Sequence, residues 1–344
     1  MYTIKKNAAD FIVDEILRDG TLVSESCKYE KQTGGRFVWI GIRKVNWNTI
    51  DLALEIARRL RISEKRVNYA GIKDRVAVAY QIFSVNTDLE CEKVRAILGS
   101  IKDIEVISCW RYNRWVKNED FVGNRFEIVL RECNFKANEI NMIDKFPNYF
   151  GEQRFGSMRG NSHIVGMCLL RKDYEGAIRE YLSGELGEKE RKMYELSKKY
   201  GPEKFVKTYW RVFKLCLNAV QSQLFNEELD MRIRDRKIGV LKGEYSCGRN
   251  EFGFADVNVE GSEFTVVQLM GSRCVLNEYK EMLLEKYGFN IKDFETFGLK
   301  GGFRTLYTPV VELSVMDCGD RCVKLGFRIQ KGAYATALLK EICK

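Results

Sequence analysis

The period of the hydrophobic pattern changes twice along the chain, and this change most restricts the folds open to it. Up to about residue 150, apolar and polar residues mostly alternate, as in DFIVDEI (10–16) and FEIVLRE (126–132). Such a period of two predicts β-strands. Helical patterns dominate residues 164–240, and strand patterns return near TPVVELSV (308–315). The sequence therefore predicts an α+β sheet with helices on one face, interrupted by a more helical insert.

The sequence predicts several helices, including one around residues 88–98. Helix formers follow Asn48 up to about Leu60, and the predicted apolar face consists of Ile50, Ala53, Leu54, Ala57 and Leu60. A long helix is predicted over 217–235. The closing segment LGFRIQKGAYATALLKEI (325–342) predicts a strand, a turn and a helix.

The residue inventory excludes several kinds of chemistry. The only histidine is His163, so a histidine-based triad or a histidine-rich zinc site is disfavoured. No GxxxxGK[ST] loop and no GxGxxG after a strand occurs, which argues against a nucleotide cofactor. The sequence predicts chemistry that depends on carboxylates, lysines or arginines.

Cysteines and the N-terminus bear on the compartment. The 11 cysteines are dispersed, which favours free thiols over a disulfide framework, and only Cys318 and Cys322 lie close together. The first residues, MYTIKKNAADFIVDEI, hold no apolar run typical of a signal peptide, and no stretch approaches the roughly 18 residues of a membrane span. We expect a cytoplasmic protein.

The net charge of +9 suits a polyanionic partner, although a basic protein without such a partner has the same charge. The segment CWRYNRWVKNEDF (109–121) mixes cations with aromatic rings. This mixture suits single-stranded or distorted nucleic acid, and an ordinary amphipathic strand fits it equally.

Asp74 is the first candidate for chemistry. It lies in NYAGIKDRVAVAYQIFSV (68–85), between Lys73 and Arg75 and before an apolar strand. Nearby positive charge favours an ionised carboxylate, which could act as a nucleophile or general base. A turn aspartate that bonds its own backbone is the alternative.

Two further segments carry polar and aromatic groups suited to a base. Asn124 and Phe126 begin the strand GNRFEIVLR (123–131), where an amide suits a base edge and a ring suits stacking; a turn Asn and a core Phe are the alternative. The loop NYFGEQRFG (148–156) holds Gln153 and Arg154 among glycines that permit close backbone approach.

Together these segments resemble the TruD family of tRNA pseudouridine synthases along nearly the whole chain. The resemblance lies in the order and spacing of TIKKNAADFIVDEI, NYAGIKDRVAVAYQIFSV, GNRFEIVLR, NYFGEQRFG, NAVQSQLFN, GGFRTL and GAYATALLKEI. It implies a pseudouridine synthase core, with a bent mixed, mainly antiparallel sheet and flanking helices. An inserted α/β TRUD domain would occupy 157–303, between catalytic parts at 1–156 and 304–344.

The resemblance also implies roles for individual residues. Asp74 would be the catalytic aspartate and Lys5 its basic partner. Asn124 and Phe126 would hold the target base, with the ring of Phe126 stacked on uracil. The other expected substrate-binding residues are Phe327, Tyr334 and Arg154.

The resemblance implies a tRNA substrate, most often modified at uridine 13, and we expect a monomer without metal or nucleotide cofactor. A non-catalytic RNA-binding or RNA-folding protein of the same fold is the alternative. A glycosidase-like hydrolase would need a second carboxylate, for which Glu152 or Asp120 could be proposed.

Overall fold

The computed structural model describes residues 2–32, 34–156, 159–184 and 187–343. The strands in these ranges are β1 (Phe11–Leu17), β2 (Phe37–Val45), β3 (Val67–Tyr69), β4 (Val78–Asn86), β5 (Ile104–Tyr112), β6 (Phe121–Arg131), β7 (Lys145–Pro147), β8 (Tyr245–Arg249), β9 (Ala255–Asp256), β10 (Phe264–Gln268), β11 (Phe303–Thr305), β12 (Tyr307–Pro309), β13 (Val311–Gly319) and β14 (Cys322–Gln330).

The helices are α1 (Thr49–Arg59), α2 (Cys91–Leu98), α3 (Ser162–Leu170), α4 (Tyr174–Tyr181), α5 (Glu188–Ser197), α6 (Pro202–Thr208), α7 (Trp210–Arg234), α8 (Glu278–Tyr287), α9 (Ile291–Thr296) and α10 (Ala335–Ile342). The helix predicted over 217–235 therefore begins seven residues earlier, at Trp210. None of the described helices combines the length and apolar character needed to cross a bilayer.

The main sheet has the strand order β13-β14-β6-β1-β4-β2-β5, and β3 pairs with the far end of β4. Its β1–β4 pair is parallel, whereas the other pairs are antiparallel. The mixed, mainly antiparallel sheet of an α+β protein is thus confirmed. The parallel pair matters for the site, because the segment that leads into β4 lies beside the end of β1.

The N-cap of α1 is Asn48, whose side chain accepts a hydrogen bond from the backbone N–H of Asp51. Such a cap satisfies one of the free N–H groups at a helix start. The predicted apolar face was wrong at two positions, since Ile50 and Leu54 are exposed. The buried face contains Leu52 and Ile56 instead, together with Ala53, Ala57 and Leu60. Both stripes have helical spacing, and packing against the sheet selects one of them.

One face of the main sheet is covered by α10. Side chains from β1, β6 and β14 form a buried cluster with Leu338 and Leu339 of this helix. Burying a side chain of this size contributes roughly 1.5–3 kcal/mol relative to leaving it exposed. Strands β1 and β6 also carry Glu15, Asn124 and Phe126 of the site described below, so this core holds that part of the site in place.

A second hydrophobic cluster lies in the part of the chain that is predicted to be inserted. Its buried members, among the described residues, all come from residues 165–299. Within it, α3 packs closely on α7 at Gly166, where a Cβ would lie 2.3 Å from the carbonyl oxygen of Cys216. The strands β11-β10-β8-β9 form a separate sheet that reaches Thr305. The inserted-domain boundaries stay predictions, and residue 157 lies outside the described residues.

Candidate active site

The strand register builds one side of the site. Glu15 of β1 pairs with Asn124 of β6, and two residues away Val13 pairs with Phe126. On its other side, Phe126 pairs with Phe327 of β14. Because alternate residues of a strand share a face, the polar pair lies beside an aromatic patch on the same side of the sheet.

The loop that carries Asp74 leads into β4 and is held by its backbone. The side-chain amide of Gln81 donates to the carbonyl oxygen of Gly71 at 2.6 Å. The backbone N–H of Lys73 donates to the hydroxyl of Thr49 at 2.9 Å. Gln81 and Thr49 are fully buried, so the loop is attached to the core on both sides of Ile72.

Lys44 of β2 also holds this loop through a hydrogen bond to its backbone. Its ammonium is buried and donates to the carbonyl oxygens of Trp47 at 2.5 Å and of Asp74 at 3.1 Å. Burial, together with the positive charge of Lys73, lowers the pKa of Lys44 to about 8. Sequence reasoning missed this residue, because a lysine in an alternating strand is typical of an exposed position.

The carboxylate of Asp74 is held at both oxygens. The ammonium of Lys5 donates to Oδ2, and the side-chain amide of Gln153 donates to Oδ1. The Lys5 nitrogen also lies 4.3 Å from the ring centroid of Phe11, within the range of a cation–π contact. Donors from two distant segments therefore orient one carboxylate.

The cations next to Asp74 in the chain have other roles than predicted. Arg75 is exposed. The ammonium of Lys73 lies 3.0 Å from a carboxylate oxygen of Glu15 and donates to Oδ1 of Asn124 at 2.6 Å. Lys73 thus contacts other groups than Asp74, and Lys5 takes the position beside the carboxylate.

These groups line a cavity of about 440 Å³, which is within the usual size range of small-molecule sites. Of the residues proposed from the sequence, its lining includes Asp74, Lys5, Asn124, Phe126 and Tyr334. Glu15, Lys73 and Gln153 also line it. Carboxylates, ammonium groups, side-chain amides and aromatic rings thus converge on one space.

Phe327 and Arg154 are not among the described lining residues. The ring of Phe327 stacks behind that of Phe126, with centroids 5.3 Å apart and planes 23° apart. Arg154 donates from Nε to the hydroxyl of Ser222 on α7 at 2.9 Å, which turns it away from the cavity. Strand register and this helix contact place both residues one layer outside the site.

The remaining candidates have structural partners. Asp120 accepts two hydrogen bonds from Arg114, at 2.8 and 2.5 Å. Trp110 is 2% exposed and packs against Trp39. The segment 109–121 therefore contributes to the core at these positions. Glu152 lines the cavity but pairs with Lys340 at 2.8 Å.

His163 lies outside the cavity that contains Asp74. Its ring meets that of Phe155 edge-on, and burial lowers its pKa. Cys318 and Cys322 place their sulfur atoms 2.8 Å apart at the β13–β14 turn. The described residues contain no cluster of three or more metal-ligating side chains.

Comparison with known proteins gives consistent results. The family model of tRNA pseudouridine synthase D (TruD) matches residues 2–216 and 210–342. A "Probable tRNA pseudouridine synthase D" of Methanococcus aeolicus is 30% identical over 392 residues, covering 98% of this chain and 95% of the relative. Another protein of that description, from Pyrobaculum arsenaticum, is 30% identical over 386 residues, covering 99% and 92%.

A crystal structure of a candidate tRNA pseudouridine synthase D from Methanosarcina mazei has a similar fold. It matches with a TM-score of 0.65 at 22% identity, over 99% of this chain and 93% of that one. At this level of identity, the match supports the shared fold.

Proposed function

The chain belongs to the TruD family of tRNA pseudouridine synthases, which are isomerases, and we propose that it uses Asp74 to convert one uridine of tRNA to pseudouridine. The observation that carries this proposal is the carboxylate of Asp74, which is held at both oxygens inside a cavity large enough for a nucleobase. A carboxylate fixed in this way is ready to act without reorganisation.

The reaction keeps every atom of the substrate. The N1–C1′ bond breaks, the uracil rotates, and C5 forms the new bond to C1′. C5 then loses its proton, and N1 gains one. Asp74 acts either as the nucleophile, at the base or the sugar, or as the base at C2′. Lys5 and Gln153 orient it through the contacts described above.

The uridine must leave its stack before it can enter the cavity. This costs a few kcal/mol, which stacking on an aromatic ring and contacts to phosphates can offset. Phe126 supplies a ring and Asn124 an amide in the lining, and Tyr334 lines the same cavity. The proposed substrate position is uridine 13 of tRNA, as is usual in the family, and the proposed active form is a cytoplasmic monomer.

The test is tritium release from tRNA that carries [5-³H]uridine, because the label leaves C5 when the new bond forms. Wild type, Asp74→Asn and Asp320→Asn are compared at saturating tRNA. Asp320 is exposed in the β13–β14 turn, so its substitution is the matched control. We expect release by wild type and Asp320→Asn and none by Asp74→Asn, with all three folded. Sequencing of the product then maps the modified uridine.

Persisting release by Asp74→Asn would refute the role of this residue. Binding of tRNA by wild type without any release would favour the non-catalytic RNA-binding protein. Release of free uracil would indicate a hydrolase instead. That outcome would require a second acid, and the pairing of Asp120 with Arg114 argues against it for this residue.

A further inference from the structure

Lys73 connects two polar side chains of the sheet at the cavity. Its ammonium lies between Glu15 and Asn124, 3.0 Å from Oε1 of the first and 2.6 Å from Oδ1 of the second. The side chains of Glu15 and Lys73 are 3% and 13% exposed. Contacts of this length between buried charged groups are strong and directional.

The chemistry of lysine determines which way the amide of Asn124 faces. An ammonium donates hydrogen bonds and accepts none, so the amide atom next to it must be the oxygen. The Nδ2 group is then on the other side of the amide. Asn124 lines the cavity, and among the described residues the hydrogen-bond partner of its side chain is Lys73, which donates to Oδ1. In the part of the chain that the structure describes, Nδ2 therefore has no acceptor and is available to a bound base.

The other oxygen of Glu15 keeps this arrangement rigid. Oε2 accepts a hydrogen bond from the backbone N–H of Ile82 in β4 at 3.0 Å. The carboxylate is thus attached to the centre of the sheet, and through Lys73 it prevents the amide from turning over. A reversed amide would place its NH₂ group against the ammonium and lose the hydrogen bond.

We infer that the Glu15–Lys73 pair makes Asn124 a donor that selects uracil over cytosine at ring position 4. This inference rests on the proposed function. Uracil has a carbonyl oxygen at this position, which accepts a hydrogen bond from Nδ2. Cytosine has an amino group there, so two donors would face each other. Sites built to pair one polar group reject an analogue that cannot pair with it.

The role assigned to Glu15 and Lys73 is positioning, since they act through Asn124. It predicts that loss of the ammonium lets the amide turn over and present its oxygen to the cavity. The turned amide would accept a hydrogen bond from the amino group of cytosine. This bond would be as favourable as the one that the original amide donates to uracil. Discrimination between the bases then falls even where turnover survives.

The test uses two tRNA transcripts that differ only at the converted position, with uridine in the substrate and cytidine in the competitor. The quantity measured is the inhibition constant of the cytidine transcript, divided by the half-saturation concentration of the uridine transcript in tritium release. Variants are Lys73→Met, Glu15→Gln and Lys73→Arg. The matched control is Lys324→Met, since Lys324 pairs with Glu127 of β6 at 2.8 Å and lies outside the cavity lining.

We expect wild type and Lys324→Met to show the same ratio, well above one. Lys73→Met and Glu15→Gln should lower it about tenfold, as expected for loss of one base-specific pairing, and Lys73→Arg should restore it because arginine also only donates. A ratio near one in wild type, or an unchanged ratio with reduced turnover in Lys73→Met, would overturn the inference alone. Absence of release by wild type would overturn the proposed function and this inference together.

Discussion

Lys5 and Asp74, which are 69 positions apart in the chain, form an ion pair at the wall of the cavity. Their side chains are 21% and 23% exposed, so water partly screens the charges. Exposed ion pairs of this kind stabilise a fold by less than about 1 kcal/mol. The main effect of the pair is therefore to orient the carboxylate.

Lys5→Met should lower turnover strongly and leave stability nearly unchanged. Without the ammonium, Oδ2 of Asp74 loses its donor and the carboxylate can rotate about its remaining contact with Gln153. Misplacement of a reacting group by about 1 Å can cost on the order of 100-fold in rate. The measurement is tritium release at saturating tRNA, with thermal unfolding as the check on folding.

Lys6→Met is the control for this experiment. Lys6 is the next residue and also forms an ion pair, with Glu132 at 2.8 Å, but both side chains are more than half exposed. We expect wild-type turnover from it. Equal losses in the two variants would mean that Lys5 acts through general charge on this segment and not through Asp74.

Lys44→Met tests the hydrogen bonds that hold the loop carrying Asp74. Methionine fills a similar volume but cannot donate to the carbonyl oxygens of Trp47 and Asp74. We expect about a tenfold loss of turnover from the displaced loop, with tRNA affinity unchanged. Lys93→Met, an exposed substitution on α2, is the control. Wild-type turnover in Lys44→Met, measured by tritium release, would show that the loop keeps its position without the lysine.

Substitutions of the two stacked phenylalanines, Phe126 and Phe327, should have similar effects on stability but different effects on turnover. Phe126 lines the cavity at 8% exposure, whereas Phe327 lies behind it at 2%. Leucine at either position should cost about 1–2 kcal/mol of unfolding free energy. Turnover should fall much further in Phe126→Leu, because in the proposed function this ring also stacks on the bound base. Chemical denaturation and tritium release measure the two effects, and equal losses of turnover would make Phe126 a core residue only.

Much of the site was predictable from sequence. Asp74, Lys5, Asn124, Phe126 and Tyr334, identified through the resemblance, all line one cavity. These residues lie in sequence motifs that are specific to the family. Their roles in chemistry stay predictions, since position in a cavity does not establish what a residue does.

What sequence reasoning missed depends on strand register and on contacts distant in the chain. Glu15 meets Asn124 because β1 and β6 pair at those positions. Lys44 reaches Asp74 across 30 positions. No local pattern encodes either pairing. The exposed side of α1 was misjudged for a related reason, because two stripes shared the same spacing and only packing distinguished them.

The free energy of unfolding should fall as the pH rises from about 4 to about 6, because Asp14 is buried. It is 7% exposed on β1, and burial raises its pKa from 3.8 to about 6, although hydrogen bonds from Ser24 oppose this. In this pH range the folded state holds a proton that the unfolded state has released. The free energy of unfolding therefore falls with pH, by roughly 3 kcal/mol in total. Asp14→Asn should remove this dependence.

Asp10 should contribute a pH dependence of the opposite sign. The variant Asp10→Asn therefore controls for general effects of pH. Asp10 accepts hydrogen bonds from Arg131, which lower its pKa, so its contribution is present at neutral pH and lost as the pH falls. Urea denaturation at pH 3, pH 4.5 and pH 7 measures both variants against wild type. Between pH 4.5 and pH 7, Asp14→Asn should gain stability relative to wild type, whereas the deficit of Asp10→Asn should stay constant there and shrink only toward pH 3. If the two variants changed in the same direction with pH, burial of Asp14 would not be the cause, because burial and ion pairing displace a carboxyl pKa in opposite directions.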